Sequence, residues 1–162
     1  MAGYISGSIY GIVGFNQATL PTGSGMVLGH STIIYDAANK GFREVMLVQA
    51  GGALTANQAL KFSAAGTVVP TAAAGDIVQG VNDLSGAAMG TGAAVANGNY
   101  FYMTIRGCCN PLVAAGQAAG TKLMASGTAG QLTAWTSAQF ANTNLASLAA
   151  SGAGGATLCW LQ

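Results

Sequence analysis

Asn99-Tyr100-Phe101-Tyr102-Met103-Thr104-Ile105-Arg106-Gly107 is the stretch that decides the fold class. Read with a period of two, Phe101, Met103 and Ile105 share one side, and Tyr100, Tyr102, Thr104 and Arg106 share the other. One wholly apolar side and one mixed side at this period predict a β-strand. Working outward, Arg43-Glu44-Val45-Met46-Leu47-Val48-Gln49 is a second strand, stopped by Ala50-Gly51-Gly52. Ile77-Val78-Gln79-Gly80-Val81, Lys122-Leu123-Met124-Ala125 and Ala156-Thr157-Leu158-Cys159-Trp160-Leu161 read as further strands. The last of them places the C-terminus inside a sheet. The 25 glycines punctuate the chain instead of recurring every third residue. That excludes a collagen helix and suits many short strands joined by tight turns. The expectation is an all-β protein: a small β-sandwich or barrel of short antiparallel strands.

Three stretches stand apart. Residues 1–40 hold apolar runs (Tyr4-Ile5, Ile9-Tyr10, Ile12-Val13, Met26-Val27-Leu28, Ile33-Ile34-Tyr35) cut by glycine and by Leu20-Pro21-Thr22-Gly23-Ser24-Gly25. They read as an extended Gly-rich N-terminal arm, with room for a hairpin, lying on the body (residues 41–162) or on a neighbouring subunit. Thr136 to Ala150 reads either as the one helix, with Phe140, Leu145 and Leu148 on a face, or as a long loop between the last strands; Asn and Thr weaken its middle as a helix. Finally, Leu54 to Thr67 is echoed by Val113 to Thr128, each running from a small-residue turn (Ala56-Asn57-Gln58, Ala115-Gly116-Gln117) through a short strand to a Gly turn.

Composition narrows the function. Charged residues are 6% of the chain and hydrophobic ones 51%, with a net charge of +1. Ordinary domains carry about 25% charged residues. A folded domain of this make-up shows water mainly Gly, Ala, Ser, Thr, Asn and Gln, which suits a protein packed against neighbours. No stretch approaches the roughly 20 apolar residues of a spanning helix, and the aromatics are too few for the girdles of a membrane barrel. A membrane partner is not expected. The five basic residues are scattered, whereas phosphate binding needs them clustered, so no direct nucleic-acid partner is expected. Met1 to Gly7 lacks the basic start of a secretory signal, so synthesis and assembly in the cytoplasm are expected. Cys108, Cys109 and Cys159 are an odd count without metal-ligand spacing and read as buried free thiols.

The residues that carry chemistry offer little. His30 is the only imidazole, in the Gly-rich arm, and no G-x-S-x-G elbow supplies a nucleophile. Asp76 and Asp83 would be a carboxylate pair for glycoside chemistry, but both sit in turn-forming contexts. Thr22 to Gly25 and Gly86 to Gly92 lack the G-K-[ST] ending of a phosphate loop. Arg43 and Glu44, adjacent on a strand, point to opposite faces and read as solvated or intersubunit contacts. No enzyme, cofactor or metal is expected.

From Arg43 onward the order of these pieces resembles that of small tailed-phage head proteins. A strand ending Val48-Gln49-Ala50-Gly51 leads into a turn and the strand Gln58-Ala59-Leu60-Lys61-Phe62. Asp76 to Val81, the aromatic strand Tyr100 to Gly107, Val113-Ala114-Ala115-Gly116 and Leu123-Met124-Ala125-Ser126 follow. The resemblance covers roughly residues 43–162, and the long arm and low charge depart from it. What it implies is a capsid decoration, or cement, protein: an all-β body, often trimeric, bound to the major capsid protein on the capsid exterior of the virion. Such a protein bridges capsomers and stabilises the head against internal DNA pressure. The interface residues expected here are Tyr4, Ile5, Ile9, Tyr10, Ile12 and Val13 in the arm, with Trp135 and Trp160 in the body. Two other readings stay open: a self-polymerising tail-tube subunit, and a carbohydrate- or peptide-binding β-sandwich using Tyr4, Tyr10, Trp135 or Trp160.

Overall fold

The ten residues of β7 (Tyr100–Cys109) run through the middle of the molecule, and most other strands are placed by them. The computed structural model describes residues 9–39, 41–136 and 145–162. Along one edge of β7, β3 (Gly41–Gln49) pairs antiparallel from Gly107 back to Tyr100. Along the other edge three short strands follow one another. β1 (Asn16–Gln17) lies beside Phe101 and Tyr100, β6 (Gly80–Val81) beside Thr104, and β13 (Cys159–Leu161) beside Cys109, Cys108 and Gly107.

From β6 the sheet continues through β4 (Ala59–Phe62) to β5 (Val68–Pro70). Val68 then bridges Ala50, just beyond the end of β3, so these five strands come round into a ring. From β13 the sheet runs the other way through β11 (Leu145–Ser147), β9 (Lys122–Ala125), β10 (Gln131–Ala134), β8 (Leu112–Val113) and β12 (Gly155–Ala156). β2 (Ser31–Asp36) forms a hairpin with β3, and Ile9–Ile12 makes one turn of helix, α1. The whole is a single curled sheet, and the all-β expectation holds.

The alternation along β7 explains the core. Phe101 and Met103 point into the ring with Val48, Ala50, Leu54, Leu60, Val68 and Val95, and Ile105 packs against them. Tyr102 points the other way, onto Val45, Leu47, Ile34, Leu84 and Ile12. A third cluster joins Cys109 and Cys159 to Val113, Leu123, Leu132, Leu145 and Leu161 between the outer strands. Fully burying one such aliphatic side chain favours folding by about 1.5–3 kcal/mol, so the two faces of β7 tie together elements far apart in sequence.

Three features depart from the sequence reading and one narrows it. Arg106 leaves its expected side. Glu44 faces Arg106 while Val45 faces Thr104, so Ile105 is an extra residue, a β-bulge. The bulge turns Arg106 to the side of Phe101 and Met103, the same side as Glu44, and the two ionic groups come within 3.9 Å. Second, of the two places expected for the arm, its own body or a neighbouring subunit, the described part takes the first: Ile12 is buried, and Val13, Phe15, Leu20 and Met26 cover the Tyr102 side. Third, Leu145–Ser147 is a strand, not helix, because Leu145 and Ser147 alternate inward and Leu145 pairs with both Leu161 and Leu123. Residues 137–144 of the proposed helix lie outside the described residues. Fourth, Ile77 to Val81 contracts to β6, and Ala156 to Leu161 divides between β12 and β13. As expected, that last strand lies inside the sheet, between β11 and β7.

The echo in the sequence is structural. Both copies lead from a turn into an antiparallel hairpin, β4–β5 in one and β9–β10 in the other. In both, the residues before the turn pair parallel with the second hairpin strand: Ala50 with Val68, and β8 with β10. Asn57 (φ 59°) is the one non-glycine with positive φ among the described residues, and its counterpart is Gly116 (φ 78°). Asn tolerates that left-handed conformation better than most residues. Asn57 then clips the turn, donating to the carbonyls of Gly90 and Asn110 and accepting from the Gly92 N–H.

All three thiols are free and buried. Burial pushes the Cys109 thiol well above its ordinary value and the Cys159 thiol up to about 12. Since the thiolate is the reacting form, the native protein should remain unlabelled by Ellman's reagent at pH 8 through an hour. Adding 6 M guanidinium should release all three thiols at once. A native thiol that reacts within minutes would contradict this burial.

Candidate interaction surface

Three of the charged residues are withdrawn from the surface. Arg43 is fully buried, which corrects its expected place in a solvated or intersubunit contact. It sits on the inward face of β3, opposite Ile34, where the end of β2 and the segment after β6 bring it two carboxylates. Its Nε and Nη2 donate to Asp36 Oδ2 at 2.9 and 2.6 Å, and its Nη1 donates to Asp83 Oδ2. Asp83 also accepts from Thr104 Oγ1 at 2.6 Å and from the Asn110 N–H at 2.9 Å. Asp36 accepts from the Ala38 and Asn39 N–H groups and from Asn39 Nδ2. Asp83 is therefore a core residue, not the turn residue expected. Asp76 does cap a turn, accepting from the Ala72 and Ala73 N–H groups and from Lys61.

The buried triad is closed to substrate and every carboxylate oxygen is engaged, so it pins the fold. Burial alone raises the Asp36 pKa, but the hydrogen bonds from Asn39 and Arg43 and the Arg43 charge outweigh it and hold the carboxyl below its ordinary value. A depressed folded-state pKa contributes stability that is complete above the unfolded value, about 3.9, and is lost as pH falls through the folded one. Urea midpoints should therefore drop as the pH is taken below about 4. Asp36→Asn should be less stable at pH 7 and show a shallower acid dependence. An acid profile equally steep in that variant would remove Asp36 as its source.

What remains outside is nearly uncharged. Among the described residues the exterior carries Glu44, Lys61, Asp76, Arg106 and Lys122, and both of its acids lie within 4 Å of a base: Asp76 at 2.8 Å from Lys61, Glu44 at 3.9 Å from Arg106. One face stands out. Beyond the mouth of the ring, the side of β3 that carries Val48 and Met46 inside continues outside as Glu44 and Phe42. Register places Tyr35 opposite Phe42, Ile33 opposite Glu44, and Glu44 opposite Arg106. Trp160 of β13 completes the row. Ile33 is 67% exposed, Phe42 53%, Tyr35 39% and Trp160 38%. The Tyr35 and Phe42 rings meet edge to face with centroids 5.3 Å apart. Ile33, Phe42, Glu44, Arg106, Gly107 and Trp160 line a shallow groove.

Of the interface residues expected from the sequence, Trp160 alone belongs to this face. Trp135 is exposed elsewhere, with its backbone N–H on the Lys122 carbonyl. Ile12 is buried and Val13 half-buried against the chain's own sheet. Ile9 and Tyr10 fall in the helical turn, and Tyr4 and Ile5 lie outside the described residues. Ile33, Tyr35 and Phe42 were missed. The signal for them was the alternation Ile33-Ile34-Tyr35, an outward, inward, outward pattern that reads as another apolar run when the arm is taken as irregular.

Comparison with protein-family models, with curated proteins and with solved structures gives no match. Among the described residues no cluster of three or more His, Cys, Asp or Glu side chains is placed to hold a metal, and no helix is long and apolar enough to cross a membrane.

Proposed function

We propose that this chain is a structural virion protein that binds the outer surface of an icosahedral phage head. There it lies against the major capsid protein and cements neighbouring capsomers against the pressure of packaged DNA. The observation that carries the reading is an exterior almost free of charge that exposes large apolar side chains beyond the β2–β3–β7–β13 face as well, among them Val27, Leu28, Ile77, Trp135 and Leu148. Covering such a surface strips few ions of water, so the desolvation cost is small. Each 100 Å² of apolar surface covered favours docking by about 2.5 kcal/mol before the cost of immobilisation. Many symmetry-related copies on one shell make weak single contacts sufficient. The carboxylates agree with it, since Asp36 and Asp83 are buried and fully hydrogen-bonded, and Asp76 and Glu44 each lie within 4 Å of a base.

Gold-conjugated antibody raised against the purified chain and applied to intact virions of the phage that encodes it tests the reading. Label over the head is expected. Label along the tail alone would transfer the chain to the tube, and virions without label would end the virion assignment.

A further inference from the structure

We infer that the β2–β3–β7–β13 face is a two-fold interface, and that its occupant is the same face of a second copy of this chain. Three observations lead there. The first is area. Large apolar side chains bury roughly 150–250 Å² each when fully covered, so the exposed fractions of Ile33, Tyr35, Phe42 and Trp160 leave on the order of 400 Å² of apolar surface on one face. That is about half of the roughly 800 Å² per partner in a standard interface, and the polar rim of the same sheet supplies the remainder. Two sheets facing one another at about 10 Å would interdigitate these side chains as the layers of a sandwich do.

The second is charge. The face carries one acid and one base, Glu44 and Arg106, side by side on β3 and β7 in the middle of the apolar residues. A two-fold axis that lies between the two faces and crosses the line from Glu44 to Arg106 at its midpoint sets each Arg106 against the partner's Glu44, an isologous contact that pairs i with j and j with i. A face with a single sign of charge repels its copy; this one complements it. The third is slack in the existing pair. Glu44 and Arg106 meet only at 3.9 Å, and the Arg106 side chain is 68% exposed, so its guanidinium is free to swing to a second carboxylate. The groove beside them, lined by Ile33, Phe42 and Trp160, is where a partner's aromatic side chain inserts. This pairing is a property of the isolated chain and stands or falls separately from the capsid reading. It also differs from the three-fold state that the phage resemblance implies.

Charge reversal in trans decides it, with mass followed by analytical ultracentrifugation from 1 to 100 μM and folding checked by circular dichroism. The wild type should run as two chains. Glu44→Arg alone leaves two bases on each face and Arg106→Glu alone leaves two acids, so each should weaken pairing by at least a hundredfold. Mixed in equal amounts, the two variants should recover the two-chain mass, because each base then meets an acid across the axis. A charge pair that matters only within one chain gives no such recovery. A wild type of one or three chains, a two-chain mass that neither reversal changes, or a mixture that fails to pair would overturn the inference. Trp160→Ser, which leaves both charges in place, should also weaken pairing; an unchanged dissociation constant would remove the groove from it.

Discussion

Arg43→Met should lower the unfolding free energy by about 3–5 kcal/mol at pH 7, read from urea midpoints. The size follows from what is left behind. Asp36 and Asp83 both lie against the guanidinium with side chains essentially inaccessible to water. Without it two carboxylates face the same apolar space with only neutral donors. They must take up protons or admit water, and either response draws on a total stability of only some 5–15 kcal/mol. Two further results follow. The deficit should shrink as the pH is lowered toward 4, where protonation relieves the repulsion. And Asp36→Asn/Arg43→Met/Asp83→Asn should recover much of the loss, because a buried ionic group is far more costly half-removed than fully replaced. A loss under about 1 kcal/mol in the single variant would show that the cluster is not the closed, dry site described.

Gly107→Ala should cost about 3 kcal/mol, from two sources that a control separates. Gly107 has φ 94°, in the region where a side chain adds roughly 1–2 kcal/mol of backbone strain. It also lies against β3 at the bulge, where an added Cβ would overlap the Phe42 carbonyl oxygen and press on Arg43 Cα. Backbone on a paired strand cannot swing aside, so overpacking adds about 1–3 kcal/mol more. Gly120 has a comparable φ of 82° but open space around its missing side chain. Gly120→Ala should therefore show the strain alone, roughly 1–2 kcal/mol. Equal losses at the two positions would mean that the close approach at Gly107 contributes nothing.

These two positions also mark where sequence reading stops. The strands around Tyr100 to Arg106, Arg43 to Gln49 and Lys122 to Ala125 are legible because alternation is local and each has an apolar face to bury. The repeated turn is legible for the same reason: Asn57-Gln58 and Gly116-Gln117 mark left-handed positions within a few residues of the strands they introduce. Arg43 is not, because its partners lie 7 and 40 positions away and one-dimensional spacing says nothing of who meets a strand's inward face. Arg106 is misread for a subtler reason. A single extra residue, Ile105, reverses every side after it, and no residue type signals a bulge of that kind. The apolar face was hidden in the same way. Ile33 and Tyr35 become part of a surface only when β2 is known to lie on β3, and Phe42 joins them only through that register.

The pairing of β3 with β7 has one more consequence, in time instead of energy. Its partners are 51 residues apart at Gln49–Tyr100 and 64 apart at Arg43–Gly107. The central ladder thus closes only after a loop of some fifty residues has been gathered, an entropic toll collected before its contacts repay anything. Sheets built from such distant partners fold in milliseconds to seconds, whereas chains of local contacts need far less. During that interval apolar strands with hardly a charge among them stay uncovered. The yield of native protein should therefore fall steeply with concentration during refolding, and slow, dilute renaturation should be the condition under which this chain reaches its native sheet.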